Sequence, residues 1–260
     1  MEKLFVIKIG GNVIDDDDKL NVFLQKFAAI DHKKILVHGG GKLATRLAEQ
    51  MHVPQQMING RRITDAETLK IVVMVYAGYI NKNIVATLQA KGCNAAGFTG
   101  ADGGCIKAHK RFIKDVDYGF VGDVDQIKAE FFNTLLSDNI TVVMAPITAD
   151  EHGQLLNTNA DTISQEIAKS LCDLYYVEMI YCFEKSGVLN DAEDDTSVVP
   201  QLNYSAYTTM VREKKVHSGM IPKLESAFAA INSGVKKVVI GKAEHVDQLI
   251  NGYAGTTIIQ

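Results

Sequence analysis

Several things are scarce in this sequence of 260 residues. It has no tryptophan, four prolines and four cysteines, and its 27 lysines and arginines are outnumbered by 31 aspartates and glutamates. The formal net charge is −4, and no basic stripe stands out, which argues against a nucleic-acid-binding protein. Cys93, Cys105, Cys172 and Cys182 form no CxxC pair and show no metal-ligand spacing. The cysteines therefore predict neither a zinc site nor a disulfide framework.

Targeting and membrane signals are also missing from the sequence. The N-terminus leads directly into a strand-like pattern, without the basic leader and apolar core of a secretory signal. No continuous apolar run approaches the roughly 18 residues that a membrane-spanning helix needs. We therefore expect a soluble cytoplasmic protein with reduced thiols and no membrane partner.

What is present is an alternation of β-type runs and helical periods. The apolar fraction of 47% and the charged fraction of 22% are ordinary for a globular chain. Strands separated by helices predict an α/β fold with an open, mainly parallel sheet sandwiched by helices, and the chain length favours two lobes that share this sheet. The predicted strands are 4–9, 34–41, 140–147, 174–183 and 236–241, with a strand–turn–strand unit at 93–111. The predicted helices are 16–30, 42–51, 66–90, 159–171 and 220–234.

Two of the predicted strands end in glycine clusters, Gly10-Gly11 and Gly39-Gly40-Gly41. In a parallel α/β sheet, ligands bind at the carboxyl ends of strands, where glycine exposes backbone N–H groups to anions. Tight turns are the alternative interpretation. Neither cluster completes the GxxxxGK[ST] or the GxGxxG pattern, so a nucleotide would have to bind in another way.

A lysine inside the first strand, Lys8, is costly to bury unless its charge has a partner. Its ammonium group could extend to solvent, meet a buried carboxylate or reach an anion at the glycine turn. Lys223 lies in the first turn of a predicted helix, where a cation opposes the helix dipole. That position makes more sense if an anion shares the site.

Further polar residues lie at two other predicted helix starts. Asn157 and Asn159 precede Asp161, which could stabilise the helix N-terminus or serve a site. The acidic run 15–18 could be a metal site, but we favour an exposed helix start.

Seven segments, in this order along nearly the whole chain, resemble the amino acid kinase superfamily and, within it, the family of N-acetylglutamate kinases. They are "IKIGGNVI", "VHGGGK", "INGRRITDAETL", "AGFTGADGGCIKAHKR" with "YGFVGDV", "APITADEHGQLLNTNADT" and "SGMIPKL". The resemblance implies transfer of the γ-phosphoryl group of ATP to the side-chain carboxylate of an N-acylated glutamate, with Mg²⁺ bridging the ATP phosphates.

The resemblance also implies residue roles. The catalytic residues would be Lys8, Lys223 and Asp161, with Asp161 holding the two ammonium groups. The residues that bind the acylglutamate would be Gly40, Gly41, Arg62 and Asn157, with Arg62 on the α-carboxylate. The residues that bind the nucleotide would be Gly10, Gly11, Lys185, Ser186, Gly187 and Ser218. No residue is expected to be a dedicated metal ligand.

The domain organisation and assembly follow from the same resemblance. An N-terminal lobe, 1–172, would bind the acyl-amino acid and form a dimer, and a C-terminal lobe, 173–260, would bind ATP. Because Met1 lies three residues from the first strand, we expect a homodimer without the N-terminal extension of arginine-inhibited hexamers.

Three departures or alternatives stay open. The segment 184–189, "EKSGVL", differs from the family's Asp-Val-Pro-Gly-Val-Leu, which weakens the adenine-site assignment. Arg61 stands where the family commonly has Leu; it is either a surface arginine or the partner of an additional carboxylate, as on N-succinyl-L-glutamate. A non-catalytic sensor of amino acids with the same fold is a more remote alternative.

Overall fold

The computed structural model describes residues 1–58, 61–114, 116–191, 193–213, 215–216 and 220–260. The strands are β1 (Lys3–Ile9), β2 (Lys33–His38), β3 (Met57–Ile58), β4 (Arg61–Arg62), β5 (Ala95–Phe98), β6 (Ile106–Lys110), β7 (Val121–Ile127), β8 (Thr141–Met144), β9 (Ile147–Ala149), β10 (Leu155–Thr158), β11 (Tyr176–Phe183), β12 (Gln201–Leu202), β13 (Lys237–Lys242) and β14 (Thr256–Ile258). The helices are α1 (Gly11–Ile14), α2 (Asp17–Ala28), α3 (Gly41–Gln50), α4 (Ala66–Val73), α5 (Asn81–Ala90), α6 (Ala129–Ser137), α7 (Ala160–Ser170), α8 (Tyr204–Arg212), α9 (Ile221–Asn232) and α10 (Val246–Asn251).

An eight-stranded sheet with the order β12-β14-β13-β11-β1-β2-β8-β5 forms the centre of the molecule. Each neighbouring pair is parallel except β13 and β14. Alternate residues of β1 belong to two core clusters: Leu4 and Val6 pack with residues of α6, α7 and α9, whereas Phe5 and Ile7 pack with residues of α2 to α5. The sheet is therefore covered by helices on both faces, which confirms the predicted fold class.

A second, smaller sheet was not predicted as a separate unit. Strands β6, β7, β9 and β10 close into a small barrel. The predicted strand 140–147 divides at Pro146: β8 lies in the central sheet and β9 lies in the barrel. Because proline has no N–H to donate to a ladder, it is a natural point for the chain to leave the sheet.

The predicted helix 66–90 forms with an irregular middle. Asp65 caps it by accepting a hydrogen bond from the Thr68 N–H, and a π-helical segment, Met74–Ile80, joins α4 to α5. By length and composition alone this helix could cross a membrane, although the sequence predicted no membrane-spanning segment. A core helix passes the same test, and the side chains of Val72 and Ile84 are fully buried in the core.

The acidic run divides between two environments. Asp16 caps α2 by accepting a hydrogen bond from the Lys19 N–H, as expected for a helix start. Asp15 instead has a largely buried side chain beside Gly11 and lies 3.4 Å from Arg46, and burial raises the pKa of Asp15.

Candidate active site

The two glycine loops face each other at the carboxyl edge of the central sheet. A Cβ on Gly39 would lie 3.9 Å from the Gly11 amide nitrogen, and one on Gly11 would lie 3.9 Å from the Gly41 amide nitrogen. Within the described part of the chain, the N–H groups of Gly11 and Gly41 donate to no protein acceptor. Free N–H groups at two helix starts are able to donate to an anion, which is the geometry that the glycine pattern leads us to expect.

Lys8, Asp161 and Lys223 come together next to this edge. The Lys8 Nζ lies 2.7 Å from Asp161 Oδ1, and the Lys223 Nζ lies 3.4 Å from Asp161 Oδ2. Burial by itself raises the pKa of Asp161, but the charges of the two lysines outweigh burial and lower this pKa below its ordinary value. The carboxylate is therefore ionised at neutral pH and holds both ammonium groups on one side of the sheet.

The start of α7 explains why the Asp161 carboxylate is available. Asn159 caps this helix, because its Oδ1 accepts hydrogen bonds from the N–H groups of Asp161 and Thr162 at 2.7 and 3.3 Å. The capping role that Asp161 could have played is thus performed by Asn159. The hydroxyl of Tyr181 is buried nearby, and burial together with the Asp161 charge raises the pKa of this tyrosine.

A cavity of about 190 Å³ opens beside the glycine loops. The four residues predicted to bind the acylglutamate all line it. Its walls also contain residues that the sequence did not single out as ligands. The lining residues include Gly40, Gly41, Arg62 and Asn157 from the prediction, and Tyr76, Pro146, Thr158 and Asn159 in addition.

Arg62 is buried and held by neutral groups. Its Nη2 donates to the carbonyl oxygen of Gly41 and to the Thr45 hydroxyl, both at 2.8 Å, and its Nη1 donates to the side-chain oxygen of Gln55. Because these partners are uncharged, the guanidinium keeps its full positive charge for a ligand. Tyr76 packs beside it, with a pKa that burial raises and the Arg62 charge partly lowers.

Arg61 also lines the cavity. Its side chain is half-buried, and burial, followed by the charge of Arg111, lowers the pKa of its guanidinium. The neighbouring carboxylate, Asp123, is already paired with Arg111 at 3.2 Å. Among the described residues Arg61 forms no ion pair, so the choice between a surface arginine and the partner of an additional carboxylate stays a prediction.

The sequence profile of the Amino acid kinase family matches residues 3–242. This chain belongs to the amino acid kinase family. It is 53% identical over 248 residues to the acetylglutamate kinase of Bacteroides fragilis, covering 95% of each chain. It is 53% identical over 257 residues to the acetylglutamate kinase of Phocaeicola vulgatus, covering 99% of this chain and 98% of the relative.

A solved structure supports the fold of this family member. The N-acetylglutamate synthase of Neisseria gonorrhoeae, complexed with coenzyme A and N-acetyl-glutamate, matches with a TM-score of 0.84 and 18% identity. The match covers 100% of the present chain and 59% of the synthase chain. At this identity the likeness concerns the fold alone.

The residues that the family resemblance assigns to the nucleotide are not brought together as closely as the substrate residues. Gly10 lies at the end of β1, where its N–H donates to the Cys182 carbonyl oxygen at 3.1 Å. Lys185 is exposed and pairs with Asp195 at 2.7 Å. Ser218 lies outside the described residues.

Ser186 and Gly187 lie toward the strand β14. Ser186 lines a separate cavity of about 380 Å³, together with Lys242 and His245. A Cβ on Gly187 would lie 2.8 Å from Thr256 Oγ1 and from a methyl carbon of Val198, so a close approach of backbone to β14 requires glycine here. Packing alone accounts for this glycine.

Proposed function

We propose that this protein is an acetylglutamate kinase that transfers the γ-phosphoryl group of ATP to the side-chain carboxylate of N-acetyl-L-glutamate, giving N-acetyl-L-glutamyl 5-phosphate for arginine biosynthesis. The observation that carries the proposal is the Lys8–Asp161–Lys223 cluster beside a cavity lined by Arg62 and Asn157. It is supported by near full-length identity of 53% with proteins of that name.

This reaction needs positive charge in the active site rather than a general base. The nucleophile is a carboxylate, which is already ionised at pH 7. The barrier comes from bringing this anion to a polyanion and from charge that spreads over the transferring phosphoryl group. Lys8 and Lys223 supply cations, Asp161 keeps them in place, and the N–H groups of Gly11 and Gly40 donate to the transferring group.

The acyl-amino acid occupies the cavity next to the glycine loops. Arg62 receives the α-carboxylate, because its buried guanidinium has only neutral partners and matches a planar anion. Asn157 donates to the acylamino group; in the free protein its Nδ2 donates to the Thr64 hydroxyl at 3.0 Å. Gly40 and Gly41 line the cavity without side chains and let the substrate approach the backbone.

ATP is the second substrate, with its phosphates toward Gly10 and Gly11 and its base on the C-terminal lobe, 173–260, near Lys185, Ser186 and Gly187. The acyl-amino acid belongs to the N-terminal lobe, 1–172. Both oxygens of Asp161 face lysines, so this carboxylate does not suit a metal ion. Mg²⁺ would then be held mainly through the ATP phosphates, whose charge it would reduce.

The test is acyl phosphate formation, trapped as the hydroxamate, with Mg-ATP and either N-acetyl- or N-succinyl-L-glutamate in parallel. We expect turnover that depends on both substrates. Turnover with neither acylglutamate would contradict the proposal and favour the sensor of amino acids. Because all four cysteines are free thiols, the enzyme suits the reducing cytoplasm, where we propose that it acts.

N-succinyl-L-glutamate is the alternative substrate, and Arg61 is the residue through which it can be tested. A half-buried guanidinium in the cavity wall, without an ion pair among the described residues, can receive the extra carboxylate of a succinyl group. Replacing Arg61 with Leu should then raise the KM for succinylglutamate and leave that for acetylglutamate nearly unchanged. Arg61→Lys, which keeps the charge, is the matched control; equal effects on both substrates would exclude this role.

We also propose a homodimer, formed through the helix 66–90. This helix is rich in apolar residues, but less than half of its most apolar stretch is buried. The side chains of Met74 and Tyr79 are 48% and 63% exposed. Light scattering should give twice the monomer mass for the wild type and for Tyr253→Lys, a control at another exposed tyrosine, and the monomer mass for Tyr79→Lys. A monomeric wild type would contradict the proposal.

A further inference from the structure

His38 lies at the end of β2, directly before the glycine loop, and its side chain is fully buried. Its Nδ1 lies 2.9 Å from the carbonyl oxygen of Gly39, and its Nε2 lies 3.1 Å from the Nδ2 of Asn81. Burial lowers the pKa of His38 to about 4, so the ring is neutral at pH 7. Because a carbonyl oxygen only accepts, the single ring proton belongs on Nδ1, and Nε2 accepts from Asn81.

The side chain of Asn81, which contacts the His38 ring, is fixed by further hydrogen bonds. Its second amide hydrogen is donated to the carbonyl oxygen of Val143 at 3.0 Å, and its Oδ1 accepts from the Lys82 Nζ at 3.0 Å. Gly97 leaves room for the carboxamide, since a Cβ there would overlap with the Asn81 Oδ1. All polar atoms of this buried side chain have partners, so it has one orientation and orients the imidazole in turn.

The hydrogen bond from His38 controls the peptide between Gly39 and Gly40. In a trans peptide the C=O and the N–H point in opposite directions. Holding the Gly39 carbonyl against the buried ring therefore directs the Gly40 N–H away from the core, toward the cavity that this loop lines. On the other side, Tyr76 and Ile80 of the π-helical segment pack so closely on Gly40 that a Cβ would overlap with them.

From this geometry we propose that His38 and Asn81 are positioning residues, which aim the Gly40 N–H at the transferring phosphoryl group. The inference rests on the proposed function. The alternative is that the hydrogen bonds of His38 and Asn81 only stabilise the fold. The two roles differ in kinetics: a misdirected N–H costs transition-state stabilisation and lowers kcat, whereas a lost structural contact lowers the melting temperature only.

Two substitutions of His38 separate these roles. In Asn the donor nitrogen is bonded to Cγ, as Nδ1 is in His, so His38→Asn can still donate to the Gly39 carbonyl. In Gln the nitrogen lies one bond farther out, so His38→Gln can meet Asn81 but loses the bond to Gly39. Since loss of one oxyanion donor costs about 10²- to 10³-fold, we expect His38→Gln to lower kcat by about 10- to 100-fold and His38→Asn by less than about 3-fold.

A control separates kcat from stability. Ile84→Ala removes a buried side chain from the same helix without touching the network, and it should lower the melting temperature while leaving kcat unchanged. Equal kcat losses in His38→Gln and His38→Asn, or no loss in His38→Gln, would overturn the inference. A wild type without turnover would contradict the proposed function itself, and the inference would fall with it.

A measurement on the wild type tests the inference even if the variants fail to fold. In ¹⁵N-labelled histidine spectra, His38 should be the Nδ1–H tautomer and should not titrate between about pH 5 and 8, given its buried, bonded ring. A Nε2–H tautomer would place the donor on the wrong nitrogen and would overturn the inference without any variant.

Discussion

Asp161 at the start of α7 lies 2.7 Å from the ammonium group of Lys8 at the end of β1. The helix and the strand come from segments about 150 residues apart in the sequence, yet their ends meet at one edge of the sheet. The same carboxylate lies 3.4 Å from Lys223. One anion thus holds two cations that would otherwise repel each other, and the cluster keeps a net positive charge.

Lys8→Met should abolish most activity and leave the protein folded. Methionine keeps the apolar stem of the side chain but removes a charge that we propose acts on the transferring group, so we expect kcat to fall by about 10²- to 10³-fold or more. Lys34→Met is the matched control: Lys34 is also buried, but its Nζ donates to the carbonyl oxygens of Ala28 and Ile30, which cap α2. It should lose stability and keep kcat. Comparable kcat losses in both variants would contradict a catalytic role for Lys8.

The ionisation of Asp161 predicts a pH dependence of stability. The pKa of Asp161 is lowered in the folded state, so its contribution is present above the unfolded pKa of about 3.9 and is lost as pH falls through the lower folded pKa. The difference in free energy of unfolding between wild type and Asp161→Asn should be constant from about pH 5 to 8 and shrink below about pH 4. Chemical denaturation of both proteins across this range checks the prediction; a difference that grows toward acid pH would contradict it.

Gly40→Ala should damage both folding and activity. Gly40 has φ of +148°, and an added Cβ would overlap with the Ile80 side chain. We expect a loss of about 1–3 kcal/mol in the free energy of unfolding, together with a large loss in kcat. Gly92→Ala is the control, since Gly92 also has a positive φ, +76°, but open space around it; it should lose about 1 kcal/mol in the free energy of unfolding and keep kcat. A similar loss of kcat in both variants would contradict a role for Gly40 in the site.

Arg62→Lys should weaken binding of the acyl-amino acid. A lysine cannot reproduce the planar fork that donates to Gly41 and Thr45 while facing a carboxylate. We expect KM for acylglutamate to rise by about 10-fold or more, because hydrogen bonds to charged groups contribute about 1.5–3 kcal/mol, with KM for ATP nearly unchanged. Arg46→Lys, at an exposed arginine 3.4 Å from Asp15, is the control and should change neither constant. A rise in the KM for ATP alone would contradict the assignment.

Much of the fold could be predicted because its signals are local. The apolar run of β1, the Asp65 cap of the long helix and the early proline of α9 all depend on neighbours within a few residues. The small barrel could not be predicted, because β6, β7, β9 and β10 are short and their pairing depends on contacts between distant segments. The same applies to the π-helical segment, which places Tyr76 over Gly40.

Some features of the candidate site were also evident in the sequence, and others depended on the tertiary structure. By itself the sequence determined the main strands of the central sheet, the longer helices around it, and the presence of a lysine and two glycine loops at strand ends, since backbone propensity and hydrophobic period act locally. Only the tertiary structure decided that Arg61 faces the cavity, that Asn159 rather than Asp161 caps α7, and that His38 is bonded to Asn81. Such side-chain directions depend on which distant groups lie in the same buried region. Burial makes a polar group without a hydrogen-bond partner costly in free energy, so the available partners determine the orientation.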